Sequence, residues 1–269
     1  MRSLLRFLVL LPLGLQAHPE VEAALARLNP LIASRPADAA LYLERGQLYL
    51  RHEIWLEAEA NFLRAAELQP HLTGLERARG ELALATRQTS AARDHFQREL
   101  EANPADAETR ILRARTLATL GDRASAIADY DTALATLTHP TPELVLERSA
   151  LGPTPADSLA VLDRFLAQLG PAMALELRAL ALEETLGRYD AALQRVDRLL
   201  GSAERREGWL KRRGDILRRA QRLDDALSAY RLAWAELNRL PTWLRESPDA
   251  IRLATQLQEL LNPPSPITP

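Results

Sequence analysis

The chain has 269 residues, of which 47% are hydrophobic and only 5% aromatic, and its formal net charge is −2. The absence of cysteine excludes disulfides, thiolate metal sites, iron–sulfur clusters and a cysteine nucleophile. The mildly acidic balance disfavours nonspecific nucleic-acid binding, and the abundance of Ala, Leu, Arg, Glu and Gln favours helix.

The amino terminus has the layout of a secretory signal. Arg2 and Arg6 precede an apolar run at residues 8–15, and the small residue Ala17 follows. The run is too short to span a bilayer comfortably. We therefore expect cleavage after Ala17 and a secreted or periplasmic protein. An uncleaved anchor is the alternative, because a bulky leucine stands two residues before Ala17.

Beyond this segment the sequence repeats every 34 residues, a period typical of helical repeat proteins. Each unit reads as two helices, which the first full row places at residues 38–52 (helix A) and 55–68 (helix B). Prolines after helix B end it and force a turn. The recurring residues are Ala24, Ala58, Ala92 and Ala126, then Leu28, Phe62, Phe96 and Tyr130 four positions later, then Pro36, Pro70 and Pro104.

Glycine inside helix A needs a packing reason, because it costs about 1 kcal/mol relative to alanine. Gly46 and Gly80 stand in this setting, one repeat apart. They predict that helices A and B approach most closely there, with Ala58 and Ala92 opposite.

Caps and turns support the same division into helices. Asp38, Asp106 and Asp157 each follow a Pro-Ala pair and are expected to cap the next helix. Gly121 and Gly187 fall between helices A and B, where a left-handed residue is favourable.

The first full unit resembles the tetratricopeptide repeat family. Its pattern is W-x2-L-G-x2-Y, then A-x3-F, then P. The matching residues here are Tyr42, Gly46, Tyr49, Ala58, Phe62, Ala65 and Pro70. The resemblance implies an all-α fold: a right-handed α-α superhelix (solenoid) of helical hairpins with a carboxy-terminal capping helix.

The expected organisation follows from this pattern. Gly152-Pro153 interrupts helix A of the fourth unit, so the fourth and fifth units are degenerate. Ser247 should cap the last helix, whose apolar stripe is Ile251, Ala254, Leu257, Leu260 and Leu261. The expected divisions are a signal peptide at 1–17, a half repeat at 18–36, repeats at 37–70, 71–104 and 105–140, degenerate repeats at 141–170 and 171–201, a repeat at 202–240, a capping helix at 241–262 and a disordered tail at 263–269.

No catalytic or metal-binding motif stands out. G-x-S-x-G, H-E-x-x-H and a phosphate-binding glycine loop are all missing from the sequence. The five histidines are never spaced as helical metal ligands, and His52, His71 and His139 fall in expected turns. We therefore expect no enzyme activity, no cofactor and no metal.

The resemblance implies that the A helices line a concave groove for a partner protein's peptide or helix. A protein partner, without nucleic acid or a stable membrane span after signal cleavage, is the leading expectation. The positions carried over to the groove are Leu43, Gln47, Leu50, Arg77, Glu81, Leu84, Ile111, Arg115, Lys211, Asp215 and Arg218.

Basic residues support an alternative function. Eight of them lie between Glu204 and Arg222, so this unit is a candidate for holding an anionic glycan or lipid head group in cell-envelope assembly. An arginine also precedes the small residue of each helix A, and pairing with neighbouring carboxylates is favoured over a positive ladder. The ladder residues are Arg45, Arg79, Arg113, Arg148, Arg178 and Arg213.

Each of the four tryptophans could pack in the core or lie exposed at the surface. Trp55, Trp209 and Trp234 stand at positions that favour packing between helices. Trp243 lies in a linker, where docking of the capping helix is favoured over an exposed contact.

Overall fold

A computed structural model of the chain describes residues 19–262, and within that range it contains fifteen α-helices and no strand. The chain divides into two compact units, one ending at Thr138 and one beginning at His139. The expected signal peptide and carboxy-terminal tail lie outside the described residues.

The first unit consists of α1 and three helical hairpins. Helix α1 packs on α2, and α2/α3, α4/α5 and α6/α7 pair as hairpins; α3 then packs on α4, and α5 on α6. The helices are α1 (Pro19–Ser34), α2 (Ala39–Arg51), α3 (Trp55–Leu68), α4 (Leu75–Ala85), α5 (Thr89–Ala102), α6 (Ala107–Leu120) and α7 (Arg123–Thr136).

The second unit has three hairpins, α8/α9, α10/α11 and α12/α13, followed by α15, which packs on α13. Its helices are α8 (Pro142–Ala150), α9 (Pro155–Leu169), α10 (Met173–Thr185), α11 (Tyr189–Ser202), α12 (Glu207–Arg219), α13 (Leu223–Arg239), α14 (Thr242–Arg245) and α15 (Pro248–Leu261). Helix α8 is short because Gly152-Pro153 interrupts it, as expected. These hairpins confirm the all-α helical-repeat fold class.

The glycines of helix A lie where the two helices of a hairpin are closest. A Cβ at Gly80 would lie 2.4 Å from the ring of Phe96, and the same clash recurs at Gly46 with Phe62 and at Gly214 with Tyr230. Each ring stands sixteen residues after its glycine. The close approach is confirmed, but an aromatic ring of helix B fills the space, where alanines were expected.

Helix caps show one wrong expectation. Asp38 and Asp106 cap α2 and α6, with the side chain of Asp106 accepting from the Thr109 N–H at 3.1 Å. Asp157 does not cap α9, because Pro155 starts the helix and makes Thr154 the capping residue. Asp157 instead bonds back to Thr154 in a capping box.

The turns between helices A and B place one residue in the left-handed region. Gly121 and Gly187 were expected there and have φ of 85° and 69°. At the corresponding position of hairpins α2/α3, α4/α5 and α12/α13 the structure has Glu53, Arg87 and Gln221, with φ of 60°, 62° and 61°.

The apolar stripe of α15 differs from expectation in one residue. Ser247 caps the helix and Leu257 is buried, as expected, but Ile251 is 54% exposed. Leu253 packs against the core of the unit in its place. The stripe therefore runs through Ala250, Leu253 and Leu257, and Ile251 lies outside it.

Candidate functional site

Eight of the expected groove residues lie on the first helices of the first unit's hairpins. Seven are half-buried and Arg115 is exposed. We call this set the first-helix face; it consists of Leu43, Gln47 and Leu50 on α2, Arg77, Glu81 and Leu84 on α4, and Ile111 and Arg115 on α6.

Arg77 links two of these helices. Its guanidinium group lies 2.8 Å from Glu108 and 3.6 Å from Asp106, at the start of α6. Glu81 stands one turn along α4 from Arg77. Burial raises the pKa of the Glu81 carboxyl; Arg77 opposes this, and Glu108 and Asp106 add to it. Three carboxyl groups thus surround one arginine, so this part of the face is acidic.

The backbone at the start of α4 is held by the second helix of the same hairpin. Gly74 precedes α4 and offers no side-chain cap. The buried carboxylate of Glu99 on α5 instead accepts from the Gly74 and Arg77 N–H groups at 3.0 and 3.3 Å. This contact positions Arg77. Sequence reasoning missed it, and the only signal was a charged residue at an apolar position of α5.

The remaining three expected groove residues lie on α12, in the second unit. Lys211 pairs with Asp215 at 2.9 Å, and the Tyr230 hydroxyl donates to Asp215 at 3.0 Å. Burial and the neighbouring Asp215 together raise the pKa of Tyr230 to about 12, and Arg218 opposes the rise. Asp215 is therefore shared between a cation and a buried phenol.

Most of the basic residues between Glu204 and Arg222 face carboxylates. Six of the eight have a carboxylate oxygen within 4 Å, so less positive charge is available than the sequence suggests. The pairs are Arg205–Glu207, Lys211–Asp215, Arg212–Glu184, Arg213–Asp197, Arg219–Glu184 and Arg222–Asp225.

The arginines of helix A also meet polar partners. Arg113 donates to Asp129 at 2.6 and 2.7 Å, and its other contact is Gln97, so it joins the second helices of two successive hairpins. Arg45 joins Asn61 and Asn29 in the same way, each at 2.8 Å. Pairing with a carboxylate is thus confirmed at Arg113, whereas Arg45 binds amide oxygens and keeps its charge without an acidic partner among these contacts.

A pocket in the second unit was not expected from sequence. It has a volume of about 540 Å³ and lies among first helices α10 and α12 and the last helix α15. We call it the α10–α12–α15 pocket. Its lining is Leu177, Leu180, Arg205, Glu207, Gly208, Trp209, Arg212, Asp249 and Leu253.

The tryptophans divide between core and surface. Trp209 and Trp234 pack against the core of the second unit and Trp55 against that of the first, as expected. Trp243 is 73% exposed, so the expectation that it docks the capping helix is wrong. The short helix α14 turns its side chain outward.

Among the described residues, no three His, Asp or Glu side chains lie close enough together to bind a metal ion. His95 bonds to Glu76 at 2.8 Å, in a cluster with Arg79 and Arg98. Between residues 19 and 262 no helix is both long and apolar enough to cross a membrane.

Comparisons with known proteins agree with this architecture. Residues 77–138 and 182–238 match the tetratricopeptide repeat family. A tetratricopeptide repeat protein from Parabacteroides merdae ATCC 43184 is 16% identical, with a TM-score of 0.50; the alignment covers 88% of this chain and 92% of that one. No curated protein matches the chain.

A second solved structure, of Naa15/Naa10 bound to HypK-THB, is 18% identical with a TM-score of 0.55. The alignment covers 90% of this chain but only 37% of that one. At these identities the likeness concerns the fold.

The glycine–ring hairpins and the matched segments together show that residues 77–138 and 182–238 contain tetratricopeptide repeats. Such repeats are in general protein–protein interaction scaffolds without catalytic activity. The degenerate hairpin α8/α9 lies outside the matched segments.

Proposed function

We propose that the protein is a non-catalytic adaptor that binds an extended peptide of another protein along the first-helix face. One observation supports this most directly. Half-buried aliphatic side chains, such as Leu43 and Leu84, stand beside polar side chains such as Gln47 and Glu81 on the same helices. Apolar contacts provide affinity, and polar groups fix the register of a bound chain.

The acidic centre around Arg77 narrows the choice of peptide. Glu81, Asp106 and Glu108 together carry more charge than Arg77, and Glu108 is 80% exposed at the side chain. A lysine or arginine of the peptide would relieve this excess of negative charge. We therefore expect the partner's segment to carry a basic residue between apolar ones.

Photo-crosslinking tests the proposed surface. A photoreactive amino acid is placed at Gln47 or Arg115 on the first-helix face, and in parallel at Arg64 or Arg93 on second helices α3 and α5. All are surface or half-buried positions of the same unit. The same partner band is expected from both face positions and from neither control. Equal crosslinking from all four positions would contradict the proposed surface.

Paired substitutions separate the two units. Glu81→Gln with Glu108→Gln should weaken binding of the captured partner several-fold, because both remove negative charge without adding bulk. Lys211→Gln with Arg218→Gln on α12 is the comparison and should leave binding unchanged. The anionic-ligand alternative gains support only if the α12 pair alone abolishes binding, and if screening by about 0.5 M salt abolishes it too.

We also propose that the protein acts outside the cytoplasm. The support is the basic, apolar and small-residue order of the first seventeen residues. Amino-terminal sequencing of protein recovered from an exporting host should find His18 first. Intact Met1 on membrane-associated protein would favour the uncleaved anchor instead.

A further inference from the structure

We propose that the α10–α12–α15 pocket is a second docking site, which takes a protein segment carrying an acidic residue beside a large apolar residue. It is distinct from the first-helix face, which lies in the other unit and has an excess of carboxylates around Arg77. The last helix, α15, then forms one wall of a binding site in addition to covering the array.

The floor of the pocket consists of apolar side chains. Leu180 is buried beneath it, Trp209 and Leu253 are half-buried, and Leu177 is 48% exposed. A volume of about 540 Å³ is enough for one or two large side chains. Covering Leu177 with an apolar partner side chain would remove its exposed area from water.

The rim on the α12 side carries excess positive charge. Arg205 and Arg212 line the pocket, and together with Arg219, which binds Glu184 from outside the lining, they share two buried carboxylates. These carboxylates belong to Glu184 and Glu207, each with a side-chain exposure of only 4%. Opposite, Asp249 is already paired with Arg252. The uncompensated charge on this rim is therefore cationic and favours an acidic partner group.

Arg212 has hydrogen-bonding capacity left for a ligand. It contacts Glu184 as an ion pair, but the Glu184 Oε1 atom it approaches accepts no hydrogen bond of normal geometry. The Arg212 side chain is 38% exposed and lines the pocket. Its N–H groups therefore remain suited to a carboxylate, which arginine binds with two parallel hydrogen bonds.

The start of α12 adds to this preference. Arg206 occupies the capping position and provides no side-chain cap, so the first N–H groups of α12 lack that partner. Gly208, in the first turn, lines the pocket, and a Cβ there would meet nothing within 4 Å. A carboxylate can thus approach this helix end closely, where the helix dipole favours negative charge.

The test begins with a phage-displayed library of random twelve-residue peptides, selected against the full chain. Enriched peptides should carry Asp or Glu within two positions of a large apolar residue. The most enriched peptide is then labelled with fluorescein, and its affinity is measured by anisotropy. During titration, the NMR signal of the Trp209 indole N–H, assigned with Trp209→Phe, should shift.

Two variants and two matched controls locate the binding. Leu177→Arg should weaken the peptide about tenfold or more, whereas Leu232→Arg, at a similarly exposed leucine of α13, should not. Arg212→Gln should weaken it several-fold, whereas Arg213→Gln, on the same helix but outside the pocket, should not. Circular dichroism verifies that each variant is folded.

Several results would overturn the proposal. They are enrichment of basic or uncharged peptides, a library without any enrichment, an unmoved Trp209 signal, or equal losses in variants and controls. Displacement of the peptide by decanoate at comparable affinity would make the site one for small amphiphiles. Loss of binding in first-helix-face variants alone would support the proposed function and reject this second site.

Discussion

The hairpins of the first unit and the degenerate hairpins of the second unit use different means to join their helices. The last hairpin of the second unit, with Gly214 against Tyr230, resembles the first unit. In the first unit, Gly46 and Gly80 each admit the ring of Phe62 or Phe96, so a small residue and a ring repeat the same junction. In the second unit, helices α9, α10 and α11 meet at Arg195, which is 4% exposed. A regular sequence pattern marks the first kind of junction, whereas the second depends on charges that the repeat pattern does not contain.

The Arg195 junction joins three carboxylates to one guanidinium group. Arg195 binds Glu183 with two hydrogen bonds of 2.8 and 3.0 Å and Asp163 with one of 2.7 Å, and Glu176 is a further partner. Burial alone would lower the pKa of Arg195, but the bonds to Glu183, Glu176 and Asp163 raise it overall. The arginine is thus charged throughout the accessible pH range.

Breaking this ionic junction should have the largest effect. Arg195→Met leaves the buried Glu183 without its partner and should lower the free energy of unfolding by about 3–5 kcal/mol. Urea unfolding of the full chain measures the change. Arg195→Met combined with Glu183→Leu should recover much of the loss, because no uncompensated charge remains. If Arg195→Met alone were as stable as the wild type, the ionic junction would not be what joins helices α9, α10 and α11.

Filling a glycine junction should have the next largest effect. Gly80→Leu drives a side chain into the ring of Phe96 and should cost about 1–3 kcal/mol through overpacking. Gly201→Leu is the matched control, because a Cβ at this glycine of α11 meets nothing within 4 Å. Thermal unfolding compares the two. Equal melting temperatures would mean that Gly80 is not at a close contact.

The first unit also contains an ionic cluster around Glu76, whose contribution to stability should be lost in acid. Burial alone would raise the pKa of Glu76, but its bonds to His95, Arg98 and Arg79 lower it to about 2. Glu76 therefore stabilises the fold above the pKa of about 4.5 for the unfolded chain, and this contribution is lost as pH falls towards 2. Glu76→Gln should flatten the stability profile between these values by about 1–2 kcal/mol. A stability profile unchanged by the substitution would show that the bonds to Glu76 do not stabilise the folded state.

The smallest effect is expected at the left-handed turn positions, which both units share. Arg87 has φ of 62°, a conformation that costs a non-glycine residue about 1 kcal/mol. Arg87→Gly should therefore stabilise the chain slightly, by at most about 0.5 kcal/mol after the entropy of the unfolded glycine is counted. Gly121→Ala should do the opposite. Chemical denaturation of both variants checks the sign, and a destabilised Arg87→Gly would contradict it.

The regular features of the fold could be predicted from the sequence. The 34-residue spacing located helices α2 and α3 to within one residue at each end, and glycine marked the close contacts. Spacing carries this information because each hairpin repeats the same local packing. It could not identify which side chain fills the space beside Gly80, since that depends on ring orientation.

The candidate sites could be predicted from the sequence only in part. The first-helix face could be placed by position, but its acidic centre arises because Asp106 and Glu108 on α6 meet Arg77 on α4. The α10–α12–α15 pocket could not be foreseen, because Leu253 takes the buried place assigned to Ile251. Contacts between helices of different hairpins decide both features, and the repeat period does not encode them.

The carboxylate of Glu99 has a consequence for how the second hairpin folds. It caps the amino terminus of α4 from α5, 25 residues from Gly74 along the chain. Helix α4 alone would therefore fray at its first turn, since Gly74 supplies no cap of its own. Opening of α5 exposes the first amides of α4 to solvent at the same moment. The two helices consequently form one cooperative unit, and their amide protons should exchange with deuterium together.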